Sequence, residues 1–213
     1  MEVLDAIGDQ CFCQSFLDKP VGWDKVTILL NSALNAPRAG NLNHLRFVLI
    51  TDPKKKQDVA DASIEQSWIG QAPLCIVICS DQEDLKKYYP KRCKHYGVQD
   101  AAVAVQNMFL TATTFEMGMY WVRVFDKEKI SYLLKLPGHI IPESIVAIGY
   151  TSQDKEHNKI PPLDGCVSYD DYGNKERNLK LFPVTREAIK EVKADSEGIL
   201  QSLKNLIKKE KRN

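Results

Sequence analysis

Apolar positions Trp23, Val26, Leu29, Leu30, Ala33 and Leu34 recur at three- and four-residue intervals, which predicts an amphipathic helix over residues 22–36. Pro37 stops it, and Arg38-Ala39-Gly40-Asn41 reads as a turn. LRFVLITD at 45–52 is short and continuously apolar, so it predicts a buried strand. Ala72-Pro73 introduces a second strand, LCIVICS at 74–80, and SIVAIGY at 144–150 predicts a third. YWVRV at 120–124 predicts a shorter one. Polar or mixed patterns over 2–9, 54–66 and 127–135 predict further helices. From Asp100, a natural cap, to about Glu116 the chain is apolar on several sides, as in a central buried helix. Residues 10–21 and 151–178 carry no period and read as loops. Residues 82–97, with Tyr88, Tyr89, Pro90 and Tyr96, read as a mobile excursion. A narrow stripe of Ile189, Val192, Ile199, Leu203 and Leu206 predicts a last helix lying on another surface, such as a partner subunit. The chain thus divides into a domain over 1–183 and a C-terminal helical arm over 184–213. Strands separated by helices around a buried helix give an α+β sandwich.

Composition narrows the function classes. A net charge of +1 offers no field for nucleic acid or anionic lipid, so neither is expected as a partner. No apolar run reaches the roughly 18 residues of a spanning helix. The acidic N-terminus MEVLDAIGDQ does not read as a signal peptide, so a cytoplasmic protein with reduced cysteines is expected. Cys75 and Cys79 fall on one face of the second strand and read as core. Cys11-x-Cys13 and Cys93-x-His95 would offer zinc three thiolates and an imidazole if the segments met, but the spacing is not that of a common zinc module and no metal site is assigned.

No GxGxxG, GxxxxGK[ST], GxSxG or HExxH is present, and the four histidines are scattered. No catalytic residue is assigned to the chain itself. An enzyme so poor in reactive groups borrows its chemistry from a cofactor. The turn from Ala36 to His44 offers small residues, amides and a cation, a set suited either to a heterocycle with a phosphate or to a plain helix–strand turn.

Taken in order, these segments resemble the nitroreductase family. Phe16-Leu-Asp-Lys-Pro-Val21 looks like the end of its first motif. Ala36-Pro-Arg-Ala-Gly-Asn-Leu-Asn43 is similar to its APSAGNxQPW turn. Ala72-Pro73, Asp100 to Asn107, Gly118 to Trp121 with Phe125-Asp126, and Pro162-Leu163 through Tyr169 to Gly173 resemble later family segments. The resemblance implies a mixed antiparallel sheet flanked by helices in an intertwined homodimer. It further implies an oxidoreductase that passes electrons from NAD(P)H through FMN to a nitro, quinone or similar acceptor by a ping-pong course. By matched position, Gln10, Cys11, Phe12 and Gln14 fall in the first flavin-contact motif and Pro37, Arg38, Ala39, Asn41 and Asn43 in the second. Arg123 and Val124 fall where backbone amides approach the redox edge of the ring, and Lys159 near late basic residues that meet the phosphate.

The chain departs from that pattern where charge matters. The arginine-rich first motif is here QCFCQ, the late RRP is Ile160-Pro161-Pro162, and the serine of the second motif is Arg38. A phosphate favours guanidinium partners, so Arg38 and Lys159 are expected to take over that role. Two rivals stay open: a non-catalytic dimer of the same fold that binds another ligand, and a cysteine-based metal or redox-sensing protein.

Overall fold

The computed structural model describes residues 2–64, 66–153 and 161–176. The chain forms two compact units: Asp9–Glu156 together with Met1, and Glu2–Gly8 with His157–Asn213. The expected boundary at 183/184 lies outside the described residues. The C-terminal arm and Lys159 lie outside the described residues.

In the larger unit, four strands form one sheet in the order β1-β2-β4-β3. They are β1 (Leu45–Ile50), β2 (Leu74–Asp81), β3 (Met117–Val122) and β4 (Ile140–Tyr150), and every neighbouring pair is antiparallel. One parallel bridge, Phe12 with Met119, adds the first loop to the β3 edge. Helices cover both faces. Alternate residues of the central strands separate two cores: Ile76, Ile78, Val146 and Ile148 pack with one cluster, Cys75, Val77, Cys79 and Ile145 with the other. On the first face lie α2 (Trp23–Leu34) and α6 (Cys93–Thr114), bringing Val26, Leu29, Val105 and Met108 to it. On the second lie α3 (Pro53–Asp61), α4 (Trp68–Gln71) and α7 (Lys127–Leu133), bringing Val59, Ile69 and Ile130. A further helix, α5 (Gln82–Tyr88), follows β2. The α+β architecture is therefore a sheet between two helical layers. In the smaller unit, α1 (Val3–Gly8) and α8 (Leu163–Cys166) are single turns or little more.

Short-range chemistry sets the helix starts. Asp52, Asp81 and Asp126 each accept a hydrogen bond from the first turn of α3, α5 and α7, satisfying donors that a helix leaves open. The segment expected to be a mobile excursion is instead α5 plus the first turns of α6. Tyr89 and Tyr96 stack edge-on there with ring centroids 4.8 Å apart. Asp100 is not a cap; it lies inside α6 and is buried. Strand β4 begins four residues earlier than expected, with Pro142 opposite Cys79 at a shift of register, the kind of site where a strand tolerates proline.

Gly118, the second residue of β3, is a glycine that the first loop presses on. A Cβ there would sit 2.2 Å from Cys13 Sγ and 3.0 Å from Thr151 Cγ2. Gly118→Ala should cost about 1–2 kcal/mol by overpacking, read as a lower melting temperature. The companion change Cys13→Ala should recover most of it; equal losses in both backgrounds would dissociate the glycine from the thiol.

Candidate functional site

The segment 38–43 is a tight turn that β1 and α6 hold from two sides. Its 3₁₀ turn, Ala39–Asn41, carries two consecutive left-handed residues, Gly40 at φ 58° and Asn41 at φ 53°. Glycine is needed at 40 because Tyr89 Oη would lie 2.8 Å from a Cβ there. The Ala39 amide donates to Asp100 Oδ2 at 2.9 Å, which ties the turn to α6. Asn43 O accepts from Arg46 Nη1 at 2.8 Å. The Arg46 guanidinium also reaches Asp81 Oδ2 at 3.0 Å and Asp84 Oδ2 at 3.1 Å, linking the turn to the start of α5.

Arg38 is engaged within its own turn. Its guanidinium donates to the carbonyls of Leu34, Ala36 and Leu42, so it caps the end of α2 and braces the turn internally. Nε and Nη1 thus serve backbone oxygens, and none of the three bonds uses Nη2. Pro37 and the side chains of Asn41 and Asn43 are exposed beside it.

His44 closes the same turn from inside. It is fully buried, with Nδ1 3.3 Å from Leu42 O and Nε2 3.3 Å from Asp100 Oδ2. The second approach is too poorly aligned for a hydrogen bond, and Nε2 has no other partner among the described residues. Burial lowers the His44 pKa from its usual 6.5 despite the opposing Asp100 carboxylate. The imidazole is thus neutral at pH 7, and the pair is not an ion pair there. The unfolded chain binds a proton near pH 6.5 that the native His44 resists. Stability from this residue is therefore full above about pH 6.5 and declines as pH falls through the lower native value. Thermal denaturation between pH 7.5 and 5.5 should show a falling melting temperature, with a slope from this group of at most about 1.4 kcal/mol per pH unit. His44→Gln should flatten that slope; an unchanged slope would assign it elsewhere.

The first segment, 10–14, runs along the β3 edge. Met119 N donates to Cys11 O at 3.1 Å, and Gln14 N donates to Gln153 Oε1 at 3.1 Å. Phe12 stacks on Phe109 of α6 with ring centroids 4.6 Å apart. Cys11 and Cys13 point inward with 7% and 0% exposure. Gln10 Nε2 is buried and has no hydrogen-bond partner among the described residues. Arg123 and Val124 follow β3. Both are exposed, the Arg123 guanidinium lies 5.0 Å above the Trp121 ring, and Val124 O faces Gln66 Nε2 at 3.4 Å.

One chain does not gather these segments into a single cluster. Residues 38–43 lead into β1, whereas 10–14 and 123–124 lie along β3, the opposite edge. Three strand spacings of about 4.8 Å, roughly 14 Å, separate the two edges. Sequence reasoning missed Asp100, His44, Tyr89 and Arg46 as the turn's supports. Only Asp100 carries a signal, an acid opening an apolar helix, and in sequence it reads as a cap. The two pairs Cys11/Cys13 and Cys93/His95 do not make a zinc site: among the described residues no group of three or more His, Cys, Asp or Glu side chains is placed to share a metal. Cys75 and Cys79 are fully buried, and burial pushes both thiols up to about 12, in keeping with a packing role. No described helix is long and apolar enough to cross a membrane.

Comparison with known proteins gives a consistent picture. The model of the nitroreductase family matches residues 13–67 and 62–150. An NADH dehydrogenase of Thermus thermophilus is 26% identical over 168 residues, covering 65% of this chain and 82% of the relative. An FMN reductase [NAD(P)H] of Bacillus subtilis is 21% identical over 189 residues, covering 82% of this chain and 76% of the relative. The fold superposes on an FMN-dependent nitroreductase from Clostridium difficile R20291 with a TM-score of 0.68 at 22% identity, over 79% of this chain and 99% of that one.

Proposed function

This chain belongs to the nitroreductase family, and from that premise we propose that it is an NAD(P)H-dependent flavin oxidoreductase that holds FMN in a homodimer. The observation that carries the reading is the extent of the family match, which runs from residue 13 to 150 and takes in every strand of the sheet and the 37–43 turn. Relatives named FMN reductase and an FMN-dependent nitroreductase of the same fold support the cofactor.

The side chains present suit the uncharged parts of FMN. Gln10 Nε2 is a buried donor without a partner among the described residues, and such a group costs about 1–3 kcal/mol unless something accepts from it. The carboxamides of Gln14, Asn41 and Asn43 are exposed at the two turns. Gln10 and Gln14 with the 37–43 turn would hold the cofactor, and Arg123 would set a cation near it. When bound, FMN supplies reversible two-electron chemistry, accepting a hydride from a nicotinamide and giving electrons to a nitro, quinone or related acceptor in a second half-reaction. The chain's own part is to position. Asp100 fixes the Ala39 amide, Arg38 locks the backbone behind it, and Phe12 on Phe109 holds the first segment against α6.

The same geometry supports the dimer: with 37–43 and 10–14 on opposite sheet edges, a second copy would bring one chain's turn beside the other's first segment. Helix α6 also leaves Val103 and Gln106 exposed and carries no charged residue from Ala101 to Thr114, a surface suited to a second chain. Purified protein should sediment as a dimer and absorb in the visible with a flavin spectrum, and anaerobic NADH or NADPH should bleach it. A colourless monomer that stays colourless with excess FMN overturns the reading.

A further inference from the structure

Positive charge is concentrated in one short stretch of a chain that is nearly neutral as a whole. Between Leu85 and Gln99 stand Lys86, Lys87, Lys91, Arg92 and Lys94, and no aspartate or glutamate. The whole chain carries a net charge of +1, so this stretch sets a local field that the overall balance hides. All five cations are exposed. Lys87 is paired with Asp84 at 3.0 Å, and Arg46 holds the other oxygen of that carboxylate and one of Asp81. Glu83 faces His139 at 3.9 Å. Lys86, Lys91, Arg92 and Lys94 make no ion pair among the described residues.

Tertiary contacts put this stretch beside the 37–43 turn. The Tyr89 hydroxyl lies over Gly40, 2.8 Å from where a Cβ would stand. Tyr89 O accepts from Arg92 N at 3.0 Å. This closes a four-residue turn with Pro90 at its second position, where the fixed φ of proline suits. Lys91 and Arg92 complete that turn, and two trans peptide units keep the Lys91 Cα within about 7.6 Å of the Tyr89 Cα. Tyr96 packs on Tyr89 with ring centroids 4.8 Å apart, which joins the start of α6 to the same corner.

We propose that Lys91 and Arg92, with Lys94 beside them, recognise the 2′-phosphate of an adenine nucleotide, so that NADPH is preferred to NADH. The inference rests on the flavin reading above and goes on to choose the donor. The two nicotinamide donors differ by that one phosphate, a strongly charged group at neutral pH. A nicotinamide ring that meets a flavin held by the 37–43 turn leaves its adenosine end to run over the neighbouring surface, and the surface beside Gly40 is the cationic one. Arg92 brings a planar fork of N–H donors that matches phosphate oxygens, and Lys91 a compact charge. NADH would bring nothing to neutralise them. A polyanion such as nucleic acid would need a basic stripe longer than this single corner.

The test reads nucleotide binding separately from flavin chemistry. The full chain is titrated calorimetrically with 2′,5′-ADP and with 5′-AMP at low ionic strength. The first should bind at least about tenfold more tightly, a difference of about 1.4 kcal/mol, and the ratio should shrink as salt is raised, because the contact is exposed. The Lys91→Gln/Arg92→Gln variant should bring the ratio to within about twofold, the level of stray surface charge. Lys54→Gln/Lys55→Gln removes the same charge from exposed positions of α3 on the other face of the sheet and should leave the ratio at its wild-type value. In the anaerobic half-reaction, NADPH should half-saturate the flavin-loaded protein at a correspondingly lower concentration than NADH. Equal affinity for the two nucleotides, an equal fall in both double variants, or tighter binding of a short single-stranded oligonucleotide than of 2′,5′-ADP each overturns the corner. A yellow protein with no 2′-phosphate preference sinks this inference and keeps the flavin reading. A colourless protein that holds the preference keeps the nucleotide corner and sinks the flavin reading.

Discussion

Asp100→Ala should lower stability by about 3 kcal/mol and release FMN, while Asp100→Asn should keep most of both. The carboxylate is buried on α6 with 9% side-chain exposure and accepts the Ala39 amide at 2.9 Å. Alanine leaves that N–H without an acceptor; losing a hydrogen bond to a charged group costs about 1.5–3 kcal/mol, and a small cavity adds to it. Asparagine retains an oxygen at the same place. For a domain of this size each kcal/mol shifts the melting temperature by roughly 2–4 °C, so the alanine variant should melt roughly 6–12 °C lower. Flavin content separates the functional claim from the structural one. If the turn 37–43 holds FMN, the folded alanine variant at low temperature should bind it far more weakly, because the turn has lost its tether to α6. A variant that melts low yet keeps full flavin would remove the turn from the site.

The importance of Asp100 also shows where sequence reading stops. Period and composition place both helices of the first face, all four strands and the 38–41 turn, because each is specified by neighbours within a few residues. Trp23 to Leu34 carries its own stripe, and β2 is buried at every position, so a continuous apolar run is a sufficient signal. The start of α6 has no such signal. Its first turns hold Lys94, His95 and Tyr96, whose order comes from elsewhere: the Tyr96 ring meets Tyr89, and Tyr89 reaches over Gly40. With that order supplied by tertiary contact, the helix begins seven residues before Asp100, and the acid becomes an internal tether rather than a cap.

Arg38 illustrates the same limit for chemistry. A cation appearing beside two vacated arginine positions suggests transfer of the phosphate contact, since charge balance is visible in a sequence. Where a guanidinium points is not. The carbonyls of Leu34, Ala36 and Leu42 converge only because α2 ends at Leu34 and the chain doubles back through left-handed residues 40 and 41. Family resemblance locates the turn correctly; the direction of its side chains is a property of the fold.

The second large effect lies away from the flavin segments, at Lys127. Its Nζ donates to Glu143 Oε2 at 2.6 Å, while Ser80 Oγ donates to Glu143 Oε1 at 2.7 Å and accepts from Gln82 Nε2 at 2.6 Å. Three elements are stitched by one carboxylate: α7 through Lys127, β4 through Glu143 and β2 through Ser80. Gly97 of α6 presses on the same group, since a Cβ there would stand 2.7 Å from Ser80 Oγ. The Glu143 side chain is 2% exposed, but that of Lys127 is 48% exposed. Removing one partner of a fully buried pair costs about 3–5 kcal/mol; half-exposure of the ammonium lets water answer part of the loss, so Lys127→Met should cost about 2–3 kcal/mol. Most of that penalty comes from leaving the buried carboxylate without a counter-charge. The double variant Lys127→Met/Glu143→Gln should therefore be more stable than Lys127→Met alone, with a coupling of at least about 1 kcal/mol by a denaturation cycle. Flavin content should stay at the wild-type level in all three variants, because none of these side chains meets the 10–14, 37–43 or 123–124 segments. Additive losses would show that Lys127 and Glu143 act independently and that the ammonium sits on the surface without neutralising anything beneath it.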